Sequence, residues 1–215
     1  LVRIFTRNRD AANQFESGIA NLAVWIMKLS HSCRRNNIKE SLRNIHAHYD
    51  LGNDFFSSFL DDTRMYSCAI FSKPESSLYE ASITKLDRIC KKLNLSSADN
   101  LLEIGTGWWG FALHAAKNYG CRITSTTISQ EQFIYAENLI KKNGLNGQVT
   151  IIKKDFRELE GQFDKLVSIE MIEAIGHRLY KKFFQKCSQL LKPEGLLVIQ
   201  TITIADNLFE ESKDF

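Results

Sequence analysis

The ten residues LLEIGTGWWG, from Leu101 to Gly110, decide how the rest of this 215-residue chain is to be interpreted. A short apolar run ends at Ile104, three glycines follow, and a helical pattern begins directly afterwards. Glycines at such a junction let the backbone turn sharply from a strand into a helix and come close to a ligand. The stretch therefore predicts a strand, a glycine-rich turn and a helix in succession.

Apolar strand-like segments and helical segments alternate around this turn. In chain order, the sequence predicts strand 100–104, helix 111–118, strand 122–126, helix 130–142, strands 149–153 and 163–169, helical residues to 191, a KPEG turn at 192–195 and strand 196–202. This alternation predicts an α/β fold with a doubly wound, mostly parallel sheet. Right-handed crossovers place helices on both faces and a ligand at the carboxyl ends of the strands.

The part of the chain before this sheet has a different character. Residues 1–45 are polar and helical in pattern, with an amphipathic stretch near 15–30, and residues 77–94 also have helical spacing. Between them, residues 48–71 form a dense aromatic and acidic run, HYDLGNDFFSSFLDDTRMYSCAIF. We expect residues 1–75 to form a helical extension and active-site lid, and residues 76–215 to form the ligand-binding domain.

Composition excludes several classes of protein. A hydrophobic fraction of 44% and a charged fraction of 25% are typical of a soluble domain, and a net charge of +3 is too small to indicate nucleic-acid binding. No signal peptide and no segment long enough to span a bilayer is visible. Five scattered cysteines without a CxxC pair predict neither a metal site nor a disulfide framework, and they favour the cytoplasm.

Basic residues cluster between Lys28 and Arg43, where Glu40 is the single acid. One interpretation is a solvated helix face, and the other is a patch for anionic lipid headgroups. The second interpretation predicts a peripheral protein at the inner membrane surface.

Two cofactor classes compete for the glycine-rich turn. A dinucleotide would require an acid after the second strand, but that strand ends in Ser125-Thr126-Thr127. Two tryptophans also occupy the turn, where a pyrophosphate would need close backbone approach. S-adenosylmethionine needs glycines beside its amino-acid portion, and Glu103 can accept hydrogen bonds that fix the loop. The residues favour the methyl donor, with a tight turn that binds no ligand as a third alternative.

Six motifs occur in a fixed order: HYDLGNDFFSSFLD, MYSCAIF, LLEIGTGWWG, TTISQEQ, EMIEAIG and LLKPEG. Together, from about His48 to Asp206, they resemble the cyclopropane-fatty-acyl-phospholipid synthase and mycolic acid cyclopropane synthase family. The resemblance implies the Rossmann-like class I methyltransferase fold, which normally has seven strands. Because five are predicted, we expect the last strands and part of the acyl pocket to be missing, and the family's N-terminal accessory domain to be largely absent.

The resemblance also assigns contacts to S-adenosylmethionine. Tyr66 and Ser67 match positions that touch the amino-acid end of the donor. The resemblance further assigns Gly105 and Gly107 in the glycine-rich turn, Thr127 and Gln132 near the ribose and methionine portion, and Asp155 and Phe156 at the adenine. Glu103, whose role follows from its place before the first glycine, completes the expected donor site. The residues alone leave open whether Phe156 is instead a core aromatic.

The implied reaction is methylene transfer to the cis double bond of an unsaturated phospholipid acyl chain, which forms a cyclopropane ring. In the family the base is a bound bicarbonate, and Cys68 (through its backbone), Glu173 and Gln200 match the residues that hold it. The chain departs from many members at Gln200, where they carry His, and at Ala174, where they also carry His. A glutamine amide still donates a hydrogen bond but cannot titrate. The EMIEAIG and QTITIAD combination therefore marks a branch of the family.

Three alternatives to cyclopropanation stay open. The first is a methyl-branched or methylene product from the same alkene, and the second is methylation of a small-molecule amine. The third is a lipid- or donor-binding module without turnover. A homodimer is also left open as an alternative to a monomer.

Overall fold

A single five-stranded sheet organises the part of the chain that the computed structural model describes, residues 52–212. Residues 204–212 belong to a separate unit, and residues 52–203 belong to the unit that contains the sheet. The predicted extension over residues 1–45, including the basic cluster from Lys28 to Arg43, lies outside the described residues. The predicted domain boundary at residue 75 stays a prediction.

The strands are β1 (Asn100–Ile104), β2 (Arg122–Thr127), β3 (Val149–Lys153), β4 (Phe163–Ile169) and β5 (Leu191–Gln200). The helices are α1 (Gly52–Ser57), α2 (Leu78–Lys92), α3 (Gly110–Tyr119), α4 (Gln130–Lys142), α5 (Ile172–Ile175), α6 (Tyr180–Leu190) and α7 (Asp206–Ser212), with 3₁₀ turns at Phe156–Glu158 and His177–Leu179. The strand order is β3-β2-β1-β4-β5, and every neighbouring pair is parallel. The predicted α/β class and parallel sheet are confirmed.

Neighbouring residues of the central strands face opposite sides of the sheet, because side chains alternate along a strand. Leu101 of β1 and Val167 of β4 pack in a core with α2, α3 and α4. Leu102 and Leu166, one position away, pack in a second core with α5 and α6. Burial on both faces is the reason these strands are predominantly apolar, as parallel strands usually are.

Helix α2 begins where the sequence supplies a capping box. The Ser77 side chain accepts a hydrogen bond from the Glu80 backbone, and the Glu80 carboxylate accepts one from the Ser77 backbone. The predicted apolar face is buried at Ala81 and Leu86 but not at Leu78, which is 43% exposed at the first turn. Lys85, which was not predicted as part of this face, is also buried there and is 0% exposed.

Strand β5 differs from the prediction at both ends, since it runs from Leu191 to Gln200 rather than over 196–202. Leu191 pairs with Phe163 and Leu196 with Lys165, so residues 192–195 bulge out of the ladder instead of preceding it. The bulge requires Gly195, because a Cβ there would lie 2.8 Å from the Leu191 side chain and 2.9 Å from the Lys192 carbonyl oxygen. The strand ends at Gln200, whose side chain contacts Cys68 and Glu170.

Within residues 52–212, no helix is long and apolar enough to cross a bilayer, and no cluster of three potential metal-ligating side chains is present. The described cysteines are all free, with Cys68 exposed and Cys90, Cys121 and Cys187 buried.

Candidate functional site

The glycine-rich turn joins β1 to α3 at the carboxyl edge of the sheet. The backbone amides of Gly105 and Thr106 both donate to the Thr126 carbonyl oxygen, at 3.1 and 2.8 Å, which fixes the turn against β2. Gly105 and Gly107 have φ of +94° and +51°, a region that glycine adopts without a Cβ clash. A Cβ at Gly107 would meet nothing within 4 Å, so this part of the turn is open to a ligand.

The two tryptophans of the turn do not fill that space. Trp109 has φ of +74° at the start of α3, and its fully buried side chain packs in the core with α2 and α4. Trp108 is also buried, with its ring 5.4 Å from Phe56 and 5.8 Å from Tyr135. The sequence predicts that the tryptophans hinder the close approach of a pyrophosphate, but both rings pack inward, so the choice of a methyl donor over a dinucleotide depends on the missing acid after β2.

Glu103 is buried in β1 just before the turn. Its Oε2 accepts a hydrogen bond from the Ser125 hydroxyl on β2. Burial raises the pKa of this carboxyl to about 8, although the hydrogen bond from Ser125 opposes the shift. Glu103 thus links the strands beside the turn, and its contact with a methyl donor stays a prediction.

Thr127 and Gln132 are brought together at the end of β2. The Thr127 hydroxyl donates to Gln132 Oε1 at 2.8 Å and accepts a hydrogen bond from the Ser129 amide at 3.1 Å. The Ser129 side chain in turn accepts from the Gln132 amide and caps α4. Both predicted residues are buried and lie one strand away from the glycine-rich turn.

Asp155 and Phe156 follow β3 in the next position along the sheet edge. The buried Asp155 carboxylate accepts two hydrogen bonds from the Arg157 guanidinium, at 2.6 and 2.7 Å. Phe156 is 6% exposed, and its ring lies 5.5 Å from Phe183 in the second core. Phe156 packs as a core aromatic would, and the adenine contact stays a prediction for both residues.

The segment 61–71 packs against the start of α3. Asp61 anchors it, since its carboxylate accepts hydrogen bonds from the Thr63 amide at 2.7 Å and from the Ser82 hydroxyl of α2 at 2.6 Å. A Cβ at Gly110 would lie only 2.4 Å from the Thr63 carbonyl oxygen, so α3 needs glycine there. The exposed Tyr66 ring lies 5.3 Å from that of Phe56.

Lys85 is the buried cation of this region. Its Nζ donates to the Ser67 hydroxyl at 2.6 Å. Burial lowers the pKa of Lys85 to about 8, and the charges of Glu170, Cys68 and Asp61 act in the opposite direction. The sequence carried one signal for this role, a lysine on the apolar face of an amphipathic helix.

Three residues meet where β4 and β5 end: Cys68 and Gln200, which were predicted for the site, and Glu170, which was not. The Cys68 amide donates to Glu170 Oε1 at 2.9 Å, and Gln200 Nε2 donates both to Glu170 Oε1 at 2.7 Å and to the Cys68 carbonyl oxygen at 3.1 Å. The Glu170 amide donates to the Gln200 carbonyl oxygen at 2.8 Å, and Glu170 has φ of +46°. The structure therefore brings Cys68 and Gln200 together, with Glu170 between them.

Glu173 lies one turn further along the chain, in α5. Its Oε1 accepts hydrogen bonds from the Thr201 hydroxyl at 2.8 Å and the Ile202 amide at 2.5 Å. Its Oε2 is buried and has no hydrogen-bond partner among residues 52–212. Glu173 thus adjoins the residues after Gln200, whereas the sequence analysis expected it to meet Gln200 and Cys68 themselves.

These contacts test whether the site fits the two small molecules expected from the sequence. The turn fits a methyl donor, since Gly107 is open and the Met171 side chain holds Gly105 from the other side. Bicarbonate does not fit between Cys68 and Gln200 in the observed arrangement. The Cys68 amide and the Gln200 amide already donate to a carboxylate, and a second anion there would be repelled by the first.

Residues 36–214 match a family model described as mycolic acid cyclopropane synthetase. Over 172 residues the chain is 40% identical to tuberculostearic acid methyltransferase UfaA1 of Mycobacterium tuberculosis, covering 77% of this chain and 40% of the relative. Over 155 residues it is 43% identical to cyclopropane-fatty-acyl-phospholipid synthase of Escherichia coli, covering 72% of this chain and 39% of the relative. The chain thus spans less than half the length of these two relatives.

Solved structures of the same family also match this chain. A mycolic acid cyclopropane synthase, CmaA1, complexed with SAH and CTAB matches with a TM-score of 0.74 and 32% identity, over 80% of this chain and 60% of that chain. Coclaurine N-methyltransferase matches with a TM-score of 0.65, 22% identity and coverage of 81% and 58%, which shows a shared fold. The Rossmann-like methyltransferase fold expected from the sequence is confirmed.

Proposed function

This chain belongs to the mycolic acid cyclopropane synthetase family, and from that premise we propose that it transfers a methyl-derived carbon from S-adenosylmethionine to the cis double bond of an unsaturated acyl chain. The observation that carries the proposal is a pair of carboxylates, Glu170 and Glu173, which follow β4 beside the glycine-rich turn. Attack of an alkene on a methyl donor develops positive charge on carbon, and fixed negative groups stabilise such a charge.

Donor binding is proposed at the carboxyl edge of the sheet. When bound, S-adenosylmethionine supplies an electrophilic methyl group on a sulfonium centre. We assign its amino-acid portion to Gly105 and Gly107, together with Ser67, which Lys85 orients. Thr127, Gln132, Asp155 and Phe156 follow along the edge in the order of β2 and β3, as an extended donor would require.

The acyl chain is proposed to approach from the aromatic segment. Phe55, Phe59 and Phe71 are large apolar side chains that remain about half exposed in the described part of the chain. Exposed aromatics beside a site suit an apolar substrate. The phospholipid form of that substrate and contact with the inner membrane surface remain proposals, and the basic residues that motivate the contact lie outside the described residues.

The product is proposed to be a cyclopropane ring, with a methyl-branched chain as the second candidate. The relatives carry both kinds of name, a cyclopropane synthase and a tuberculostearic acid methyltransferase. Both outcomes share the first carbon–carbon bond and differ in how the resulting carbocation is quenched. Loss of a methyl proton with ring closure gives the cyclopropane, whereas loss of a proton without ring closure leaves a methyl-branched or methylene-bearing alkene. The groups that decide between them are therefore those near Cys68 and Gln200.

The test is incubation of the complete protein carrying this chain with S-adenosylmethionine and mixed unsaturated phospholipids and fatty acids. We expect lipid mass spectrometry to show the gain of one CH₂ unit, and NMR to show loss of the alkene protons with new cyclopropane protons. A mass gain with the alkene retained would support the second candidate. Turnover of amines with no lipid product would instead indicate a small-molecule N-methyltransferase.

A further inference from the structure

We propose that the Glu170 carboxylate is the general base of this chain and replaces the bicarbonate expected from the family resemblance. The inference rests on the proposed function, since it concerns the last step of the same reaction.

Glu170 occupies the position that a bound anion would take. Two of the three residues assigned to bicarbonate are Cys68, through its backbone, and Gln200. The Cys68 amide and Gln200 Nε2 both donate to Glu170 Oε1, at 2.9 and 2.7 Å. The carboxylate is thus covalently attached to the protein and is already bound by the donors that would otherwise recruit an anion from solution.

The backbone holds Glu170 in this position at some cost. Its φ of +46° is in the left-handed region, which is rare for residues other than glycine, asparagine and aspartate and is often found at functional sites. The Glu170 amide compensates by donating to the Gln200 carbonyl oxygen at 2.8 Å, as the last bond between β4 and β5. The side chain is therefore directed by the sheet itself.

Two further contacts place Glu170 beside the glycine-rich turn, where the donor is proposed to bind. The next residue, Met171, packs on Gly105, so Glu170 adjoins the glycine-rich turn. The charge of the buried Lys85, which binds Ser67, interacts favourably with Glu170. The hydrogen bonds from the Cys68 amide and from Gln200 Nε2 both end at Oε1 of Glu170. Neither of these two donors bonds Oε2, so we assign Oε2 as the atom that receives the proton.

The chemistry balances without another reagent. The π electrons of the alkene form a bond to the donor methyl carbon as its bond to sulfur breaks, with the electron pair remaining on sulfur. Oε2 of Glu170 then takes a proton from that methyl group. The electron pair of the broken C–H bond closes the ring on the neighbouring cationic carbon, and the carboxylic acid returns its proton to water.

The first test measures turnover of the complete protein in buffer depleted of carbon dioxide, with and without added bicarbonate. We expect no change in the wild-type rate. We expect Glu170→Gln to lose about 100-fold or more in turnover, the range for removal of a general base. Its affinity for S-adenosylhomocysteine should stay within about threefold of wild type, because the lost interaction belongs to the transition state. Glu160→Gln, at an exposed position away from the site, should match wild type.

The second test separates a base from a positioning residue. Glutamine retains an acceptor oxygen for the Cys68 amide, so a merely structural role would predict little loss in Glu170→Gln. Glu170→Gly suits the positive φ and frees both donors, and we expect bicarbonate or formate to restore part of its turnover.

Wild-type turnover that requires bicarbonate, or near-normal turnover of Glu170→Gln, would overturn the assignment of the base alone. A wild-type protein that binds donor but modifies no lipid would overturn the proposed function, and the inference with it.

Discussion

At the scale of single residues, the most informative side chain for stability is Glu103. The pKa of its carboxyl has the ordinary value of 4.5 in the unfolded chain, and burial beside Ser125 raises this pKa to about 8 in the folded state. Between these values the folded state binds the extra proton, so the contribution of Glu103 to the free energy of unfolding is fully present below pH 4.5. That contribution is lost as the pH rises through about 8.

We therefore expect Glu103→Gln to flatten the pH dependence of stability. The amide stays neutral and still accepts a hydrogen bond from Ser125, whereas wild type loses a few kcal/mol from this group as pH rises. Urea unfolding at about pH 5 and about pH 7 measures the difference, and both values lie below the pKa of about 8 near which buried Lys85 loses its proton. Glu160→Gln provides the exposed control. An equal change with pH in Glu103→Gln and wild type would show that Glu103 ionises normally.

At the scale of elements, the contact between α3 and the segment 61–71 decides whether the site can form. Alanine at Gly110 would improve helix propensity by about 1 kcal/mol. Its Cβ would, however, lie 2.4 Å from the Thr63 carbonyl oxygen and 2.6 Å from the Met65 sulfur. Overpacking of this kind costs about 1–3 kcal/mol, so the clash outweighs the gain.

We expect Gly110→Ala to lower the melting temperature and to weaken donor binding, because the displaced segment carries Tyr66 and Ser67. Gly147→Ala is the matched control, since a Cβ there meets nothing within 4 Å. Calorimetric titration with S-adenosylhomocysteine and a thermal melt measure the two effects. Donor affinity unchanged from that of the control would mean that segment 61–71 takes no part in binding.

At the scale of the whole molecule, the strands form one parallel sheet, so a ligand bound at its edge should stabilise the whole sheet against unfolding. The proposed donor contacts follow β1, β2 and β3, so binding should oppose unfolding of the sheet as a unit. A ligand at 100 times its dissociation constant raises the free energy of unfolding by about 2.7 kcal/mol. We expect S-adenosylhomocysteine to do so and NAD to leave the melting temperature unchanged. Stabilisation by NAD alone would refute the choice of cofactor made from Ser125-Thr126-Thr127.

The sequence alone determined the sheet, the glycine-rich turn and the family, because these depend on patterns that are local along the chain. Apolar periodicity predicts strands β1 to β4 and helices α2 to α4 within a few residues, and Gly105 and Gly107 mark the turn directly. The capping box at Ser77, which was not part of the sequence prediction, stabilises the start of α2. The errors in β5 arose where tertiary pairing, rather than the local KPEG pattern, set the strand ends.

Only the tertiary structure decided which acidic group meets Cys68 and Gln200. Cys68 is separated from Glu170 by 102 positions in the sequence and from Gln200 by 132 positions. No local sequence pattern can therefore show whether Glu170 or Glu173 meets them. The choice depends on the backbone of Glu170, whose positive φ and bond to Gln200 direct its side chain toward Cys68. The burial of Lys85 has the same origin, because the charges that accompany it come from segments distant in sequence. Local periodicity fixes elements, but the meeting of side chains at the sheet edge requires all strands to be in place.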